Sequence, residues 1–169
     1  VNRLAAPALA LLLLVLSPAS SLARKPLPNG FRDLKWRAPV ARGMKVKKDV
    51  SAGDNVAYAR PSDAKTWHGA ALESITYSYF KGRFCAVTVE TDAGQGAKLL
   101  KALTAEWGEP EKAAENVYVW KDASETLAFL RTTDLDGPSS RGELFIVCKP
   151  LVKESNEAEI ERREKAGVR

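Results

Sequence analysis

The stretch ESITYSYF (73–80), KG (81–82), RFCAVTVET (83–91) decides the fold. Two runs rich in β-branched and aromatic residues flank the two-residue spacer Lys81-Gly82, the pattern of a hairpin with a tight turn. Counting outward from that turn, Phe80 faces Arg83, Tyr79 faces Phe84 and Ser78 faces Cys85. Tyr77 then faces Ala86, Thr76 faces Val87 and Ile75 faces Thr88. Both faces of the hairpin carry apolar groups, which predicts a central place in its sheet.

Downstream, the spacing predicts a helix from about Ala93 to Trp107. Asp92 and Gln95 have capping-box spacing. Leu99, Leu100, Leu103 and Trp107 form one apolar stripe, with Lys98, Lys101 and Glu106 on the outer side. Gly108 and Pro110 stop the helix. Strands follow at Val117–Lys121, Thr126–Thr132 and Glu143–Lys149, the last two separated by a polar loop through Asp136-Gly137-Pro138. Upstream, Phe31–Trp36 (FRDLKW) reads as a first strand, Met44–Val50 as a weaker one and Val56–Arg60 as a short one. Ser62–Gly69 is a polar loop. No internal repeat is visible. The implied class is α+β, with an antiparallel sheet of about five or six strands, one main helix (about 93–107) across a face and a charged C-terminal helical tail.

The ends differ from this body. Arg3 is followed by an uncharged apolar run from Leu4 to Leu16, a break at Pro18 and small residues at Ser21 and Ala23. That is the plan of a cleavable secretory signal, cut between Ala23 and Arg24. As a membrane anchor the run would reach only about 20 Å, short of a bilayer core near 30 Å. The expected organisation is a signal at 1–23, an extended basic linker at 24–30, a single domain at 31–150 and a charged helical or flexible tail at 151–169. The expected destination is the periplasm or the external medium, with no stable membrane span once the signal is removed.

The formal charge of +5 is unevenly placed. Arg24 to Lys48 holds nine Lys or Arg against one acid, Asp33. Such an arm suits a solvated segment, an anionic membrane surface or an acidic partner. Nucleic acid is disfavoured by the compartment and by the missing recognition motifs. The tail from Lys153 to Arg169 is balanced, with five acids and five bases. Its scarcity of apolar residues predicts a solvated or frayed helix. Cys85 and Cys148 are the only cysteines. In an oxidising compartment they could close a loop of roughly 60 residues, worth about 3–4 kcal/mol. The alternative is two buried thiols acting as small apolar side chains.

The order FRDLKW, LESITYSYFKGRFCAVTVE, a helix ending WGEP, VYVW, GELFIVCK and a charged tail resembles a group of small exported bacterial α+β proteins of unknown function. Their blocks read approximately F-R-x-x-x-W, LESIEYGFYKGRFYSV, a helix ending Y-G-x-P, a strand ending in Trp and a terminal G-T-L strand. The similarity runs from Phe31 to Ala166 and is most specific at the hairpin. It implies export, α+β architecture and a tail that belongs to the protein, and it carries over no catalytic or binding residue. This chain departs from the pattern at both cysteines, where an aromatic and a serine are expected. Their joint arrival favours a bond.

No catalytic constellation stands out. His68, the only histidine, lies in a polar loop without a local nucleophile, though Asp63 and Glu73 are near in sequence. Gly94 and Gly96 open a helix after a strand, but Leu99 replaces the third glycine of a dinucleotide loop. Asp134-Leu135-Asp136-Gly137 lacks the remaining ligands of a calcium loop. Two cysteines without a neighbouring histidine are too few for a zinc site. No metal or other cofactor is predicted. Trp107 and Trp120 read as core. Trp36 reads as core or contact, and Trp67 beside His68 as the most exposed aromatic and best contact. The leading expectation is a non-enzymatic binding module of the bacterial envelope, with an envelope protein or other exported component as partner. The alternatives are a small-molecule or lipid binder with a pocket between helix and sheet, and a hydrolase with a dispersed site.

Overall fold

Along Thr126–Thr133 and Arg141–Cys148 buried side chains alternate strictly with half-buried or exposed ones, because each strand has one face on a core and one toward solvent. The computed structural model describes residues 25–135 and 137–167. The expected signal, and with it the cut between Ala23 and Arg24, lies outside the described residues.

The strands are β1 (Gly30–Phe31), β2 (Leu34–Lys35), β3 (Lys45–Val46), β4 (Asn55–Ala59), β5 (Thr66–Trp67), β6 (Ala70–Phe80) and β7 (Arg83–Thr91). Helix α1 (Gly96–Trp107) follows, then β8 (Glu111–Ala114), β9 (Val117–Lys121), β10 (Thr126–Thr133), β11 (Arg141–Cys148) and α2 (Lys149–Lys165). The main sheet has the order β3-β4-β6-β7-β11-β10-β9-β8, with β5 added alongside β6 to make nine strands. Every pairing is antiparallel. The fold is therefore α+β, as the sequence predicts, but the sheet is larger than five or six strands. The surplus comes from short pieces without a hydrophobic signature, such as β8 (EKAA), exposed throughout.

The hairpin turn at Lys81-Gly82 has both residues at positive φ, 49° and 73°, matching the twist of the flanking strands. Phe80 pairs with Arg83 and Tyr79 with Phe84, as expected. Beyond them the register slips by one, since Ser78 pairs with Ala86 and Tyr77 with Val87. Cys85 is the extra residue of a β-bulge. Without it Phe84 and Val87 would point to opposite faces; with it Phe84, Val87 and Val89 share one.

That face is closed. Ile75, Tyr77, Tyr79, Phe84, Val87, Val89, Leu130, Leu144 and Ile146 are all at most 6% exposed. Helix α1 covers it with Leu99, Leu103 and Trp107. Its two buried leucines contribute about 2 kcal/mol each. The helix starts at Gly96, three residues later than expected, and the predicted capping box is not made. Instead the Gln95 side-chain oxygen accepts from the Ala71 N–H. Gly96 is there for close approach, because a Cβ would lie 2.7 Å from the Arg141 carbonyl. Gly108 ends the helix as predicted, at φ 84° with its N–H on the Thr104 carbonyl.

The N-terminal segment completes the closed face. FRDLKW is a miniature hairpin rather than one strand, since Arg32 sits at φ 54° between β1 and β2. Phe31, Leu34 and Trp36 are buried. The stretch expected as a linker is docked too: Leu27 is buried, its N–H donates to Asp122, and the Pro28 carbonyl accepts from the Thr126 hydroxyl.

Helix α2 lies on the opposite face, against Leu127 and Val147. The tail is thus not wholly solvated. Leu151 and Ser155 are buried, and Ser155 donates to the Asn55 side chain at 2.9 Å. The helix begins at Lys149, directly after β11. No helix among the described residues is long and apolar enough to cross a membrane.

Candidate functional site

Most residues singled out from the sequence are structural. Trp36 is 5% exposed, stacks near Phe84 at 4.8 Å and donates its indole N–H to Thr126 at 2.9 Å. It is a core residue, not a contact. Trp67 is half-buried rather than presented to solvent, because β5 folds back on β6 and turns it toward Phe31 and Trp107, at 5.1 and 6.2 Å. His68 occupies the turn after β5 at φ 48°, with its ring 4.4 Å from that of Trp67. Its Nε2 lies 3.0 Å from a Glu106 carboxylate oxygen at the end of α1.

The two acids near His68 in sequence are engaged elsewhere. Glu73 pairs with Arg141. Asp63 is almost fully buried and accepts from the Tyr77 hydroxyl at 2.5 Å, from Arg60 at 2.7 Å and from Arg32 at 3.0 Å. Arg60 also grips Asp33 with both terminal nitrogens, at 2.9 and 2.6 Å, which holds the Asp33 carboxyl below its ordinary range. Burial, together with the Asp63 carboxylate, pushes the Tyr77 hydroxyl far up. This network locks the N-terminal hairpin to the loop before β5 and to β6.

Cys85 and Cys148 are both buried and both free. The expected disulfide is not formed; the pair take the alternative role of small apolar strand residues. Extending the β7–β11 ladder by one residue beyond Val147 and Ala86 sets Cys148 opposite Cys85. The bulge that re-aims Cys85 also lets its thiol donate to the Ser78 carbonyl at 3.3 Å. Burial pushes the Cys85 thiol up to about 11, so it is protonated and unreactive at neutral pH.

The surface left without a structural role is the second face of the sheet beyond α2. Its side chains fall in rows across the strands. One row runs Val119, Phe129, Phe145, Thr88, Thr76. Phe129 and Phe145 are stacked in parallel, centroids 4.6 Å apart at 15°, and both are half-buried. The next row toward α2 carries Lys121, Leu127, Val147 and Ala86. There Leu127 and Val147 meet Val152 and Ile160 of α2 in an apolar groove of about 330 Å³, with Lys149 and Lys153 beside it. Ile160 is 57% exposed. On the far side of the aromatic row the face ends in charge, with Arg131 on Glu143, Arg141 on Glu73, and Ser74 donating to Glu90.

Alternation alone could have located this surface. The odd-numbered positions of β10 and β11 gather Leu127, Phe129, Phe145 and Val147 at one end, an apolar cluster beside the polar Arg131, Thr133, Arg141 and Glu143. What the sequence does not carry is the position of α2, which covers one end of the row and leaves the middle open. Among the described residues no group of His, Cys, Asp and Glu has the geometry of a metal site. No protein-family model, curated protein or solved structure matches the chain.

Proposed function

We propose that the chain is an exported, non-enzymatic binding module of the bacterial envelope, and that it holds a protein partner on the open face of its sheet. The stacked, only partly covered Phe129–Phe145 pair carries this reading. Aromatic pairs on a flat, rigid strand surface offer large contact area at little conformational cost, the composition of an interface centre. The charged row Arg131–Glu143 on one side and the lysines of α2 on the other supply a polar rim. The export signal expected at residues 1–23, and the resemblance of the blocks between Phe31 and Ala166 to exported bacterial proteins, support the compartment. His68, paired with Glu106, and the embedded Asp63 favour a structural role over hydrolysis.

The test is a photo-crosslinking amino acid placed at Phe145 in growing cells, with Lys101 on the outer side of α1 as control. A discrete protein adduct at residue 145 and none at 101 is the expected result. No adduct at 145, or the same adduct at both positions, overturns the reading. The groove lined by Leu127, Val147, Val152 and Ile160 favours a second reading, an amphipathic small molecule with an anionic head near Lys149 and Lys153. A fluorescent fatty acid that binds the protein, and is lost in Val152→Asp, would move the assignment there.

A further inference from the structure

We propose that residues 40–50, at the β3 edge of the sheet, form a second contact surface that seats on an anionic phospholipid bilayer. The inference does not rest on the Phe129–Phe145 pair, although the row of that face ends at Thr76, which Lys47 reaches.

Three features converge on this short segment. Of the four large hydrophobic side chains that stand exposed in the described chain, three are here: Val40 at 37%, Val46 at 50% and Val50 at 56%. Arg42, Lys45, Lys47 and Lys48 lie between them with a single acid, Asp49, so the segment holds +3 of the chain's formal +5. Among the described residues no carboxylate is within ion-pair distance of any of these four cations. Elsewhere most arginines are paired, as Arg37 is with Glu125 and Arg83 with Glu154.

The patch is also held in place. Phe31, Leu34 and Trp36 anchor the preceding chain in the core, and Lys45 and Val46 pair with Ala59 and Tyr58 of β4. Lys47 donates to the Thr76 hydroxyl at 3.0 Å. The other three cations are exposed, and β3 is the last strand of the sheet on this side.

Cations interleaved with aliphatic side chains match a charged interface with hydrocarbon directly beneath it. A nucleic acid offers nothing to valines, and the segment itself contains no aromatic residue for base stacking. An added peptide strand would need a longer edge than the two residues of β3.

The experiment is co-sedimentation of the full chain with vesicles of phosphatidylcholine containing about one-third phosphatidylglycerol, against phosphatidylcholine alone, near 0.1 M salt where screening is moderate. Any binding through Leu4–Leu16 is common to both vesicles and to every variant, so the ratio isolates the patch. The expected preference for anionic vesicles falls on the order of 100-fold in Arg42→Gln/Lys45→Gln/Lys48→Gln, about fivefold for each cation. Neutralising Lys98, Lys101 and Lys112 in the same way leaves it in place. A polarity-sensitive dye on Val50→Cys blue-shifts on anionic vesicles, while one on Lys112→Cys does not. Equal partition onto both vesicles, an unchanged ratio in the triple variant, or a silent dye at position 50 on bound protein overturns the proposal. So does binding to duplex DNA or polyglutamate that is tighter than to vesicles and lost in the same variant.

Discussion

The two faces of the sheet are finished differently. One is covered by α1 and the N-terminal hairpin, and its strand residues are buried almost without exception. The other is covered only in part by α2: Phe80 is buried there, while Leu127, Phe129, Phe145 and Val147 are half-buried. The order of elements does not explain this, for each helix follows four consecutive neighbours of the sheet, β3-β4-β6-β7 before α1 and β8-β9-β10-β11 before α2. The helices differ in what they bring. Helix α1 presents Leu99, Leu103 and Trp107 along one stripe, whereas α2 buries only Leu151 and Ser155. A face is closed by the apolar content of the helix laid on it, and a sparse helix leaves a usable surface.

Mutations should separate the two faces. Leu103→Ala opens a cavity under α1 and is expected to cost about 3 kcal/mol in denaturant unfolding. Leu151→Ala is expected to cost about 2 kcal/mol, its buried contact being near the start of α2 where the helix joins β11. A loss for Leu151→Ala as large as that for Leu103→Ala would erase the contrast.

The cysteines give a chemical check on the closed side. With its thiol raised from 9.0 to about 11, Cys85 contributes stability below pH 9 that is lost as pH climbs toward 11. Native protein should resist a thiol reagent at pH 8, and denatured protein without reductant should show two thiols. A count of zero would mean that a disulfide joins the strands. The smallest effect is expected at the open side, where Ile160→Ser should change stability by no more than about 0.5 kcal/mol while weakening whatever occupies the groove.

The parts legible in the sequence are those where a local rule and the tertiary environment agree. The Lys81-Gly82 turn, the stripe and stop of α1, and the alternation of β10 and β11 all match the burial around them. The bulge at Cys85 is invisible, because outward counting from a turn assumes one residue against one. FRDLKW has strand composition, but nothing in it announces that Arg32 would take a left-handed turn. The polarity of its neighbours makes Trp67 read as exposed, whereas its position follows from a two-residue strand folding back toward Trp107. The docking of α2 rests on Leu151, Val152, Ser155 and Ala158, too few apolar groups to outweigh the charge around them. The open aromatic face is half legible: its residues follow from alternation, its exposure only from where α2 stops.

The meeting of β7 with β11 has a kinetic consequence. Nearly every other ladder joins strands adjacent in sequence, so each group of four can form by short-range closure. The β7–β11 ladder joins residues roughly sixty positions apart, and its closure carries the chain-entropy cost of the whole intervening segment. Until those strands zip together, each group exposes a raw edge and an uncovered Val87–Val89 or Leu144–Ile146 surface. A chain of this topology is thus most exposed to misassociation late in folding, with its halves formed and its centre still open.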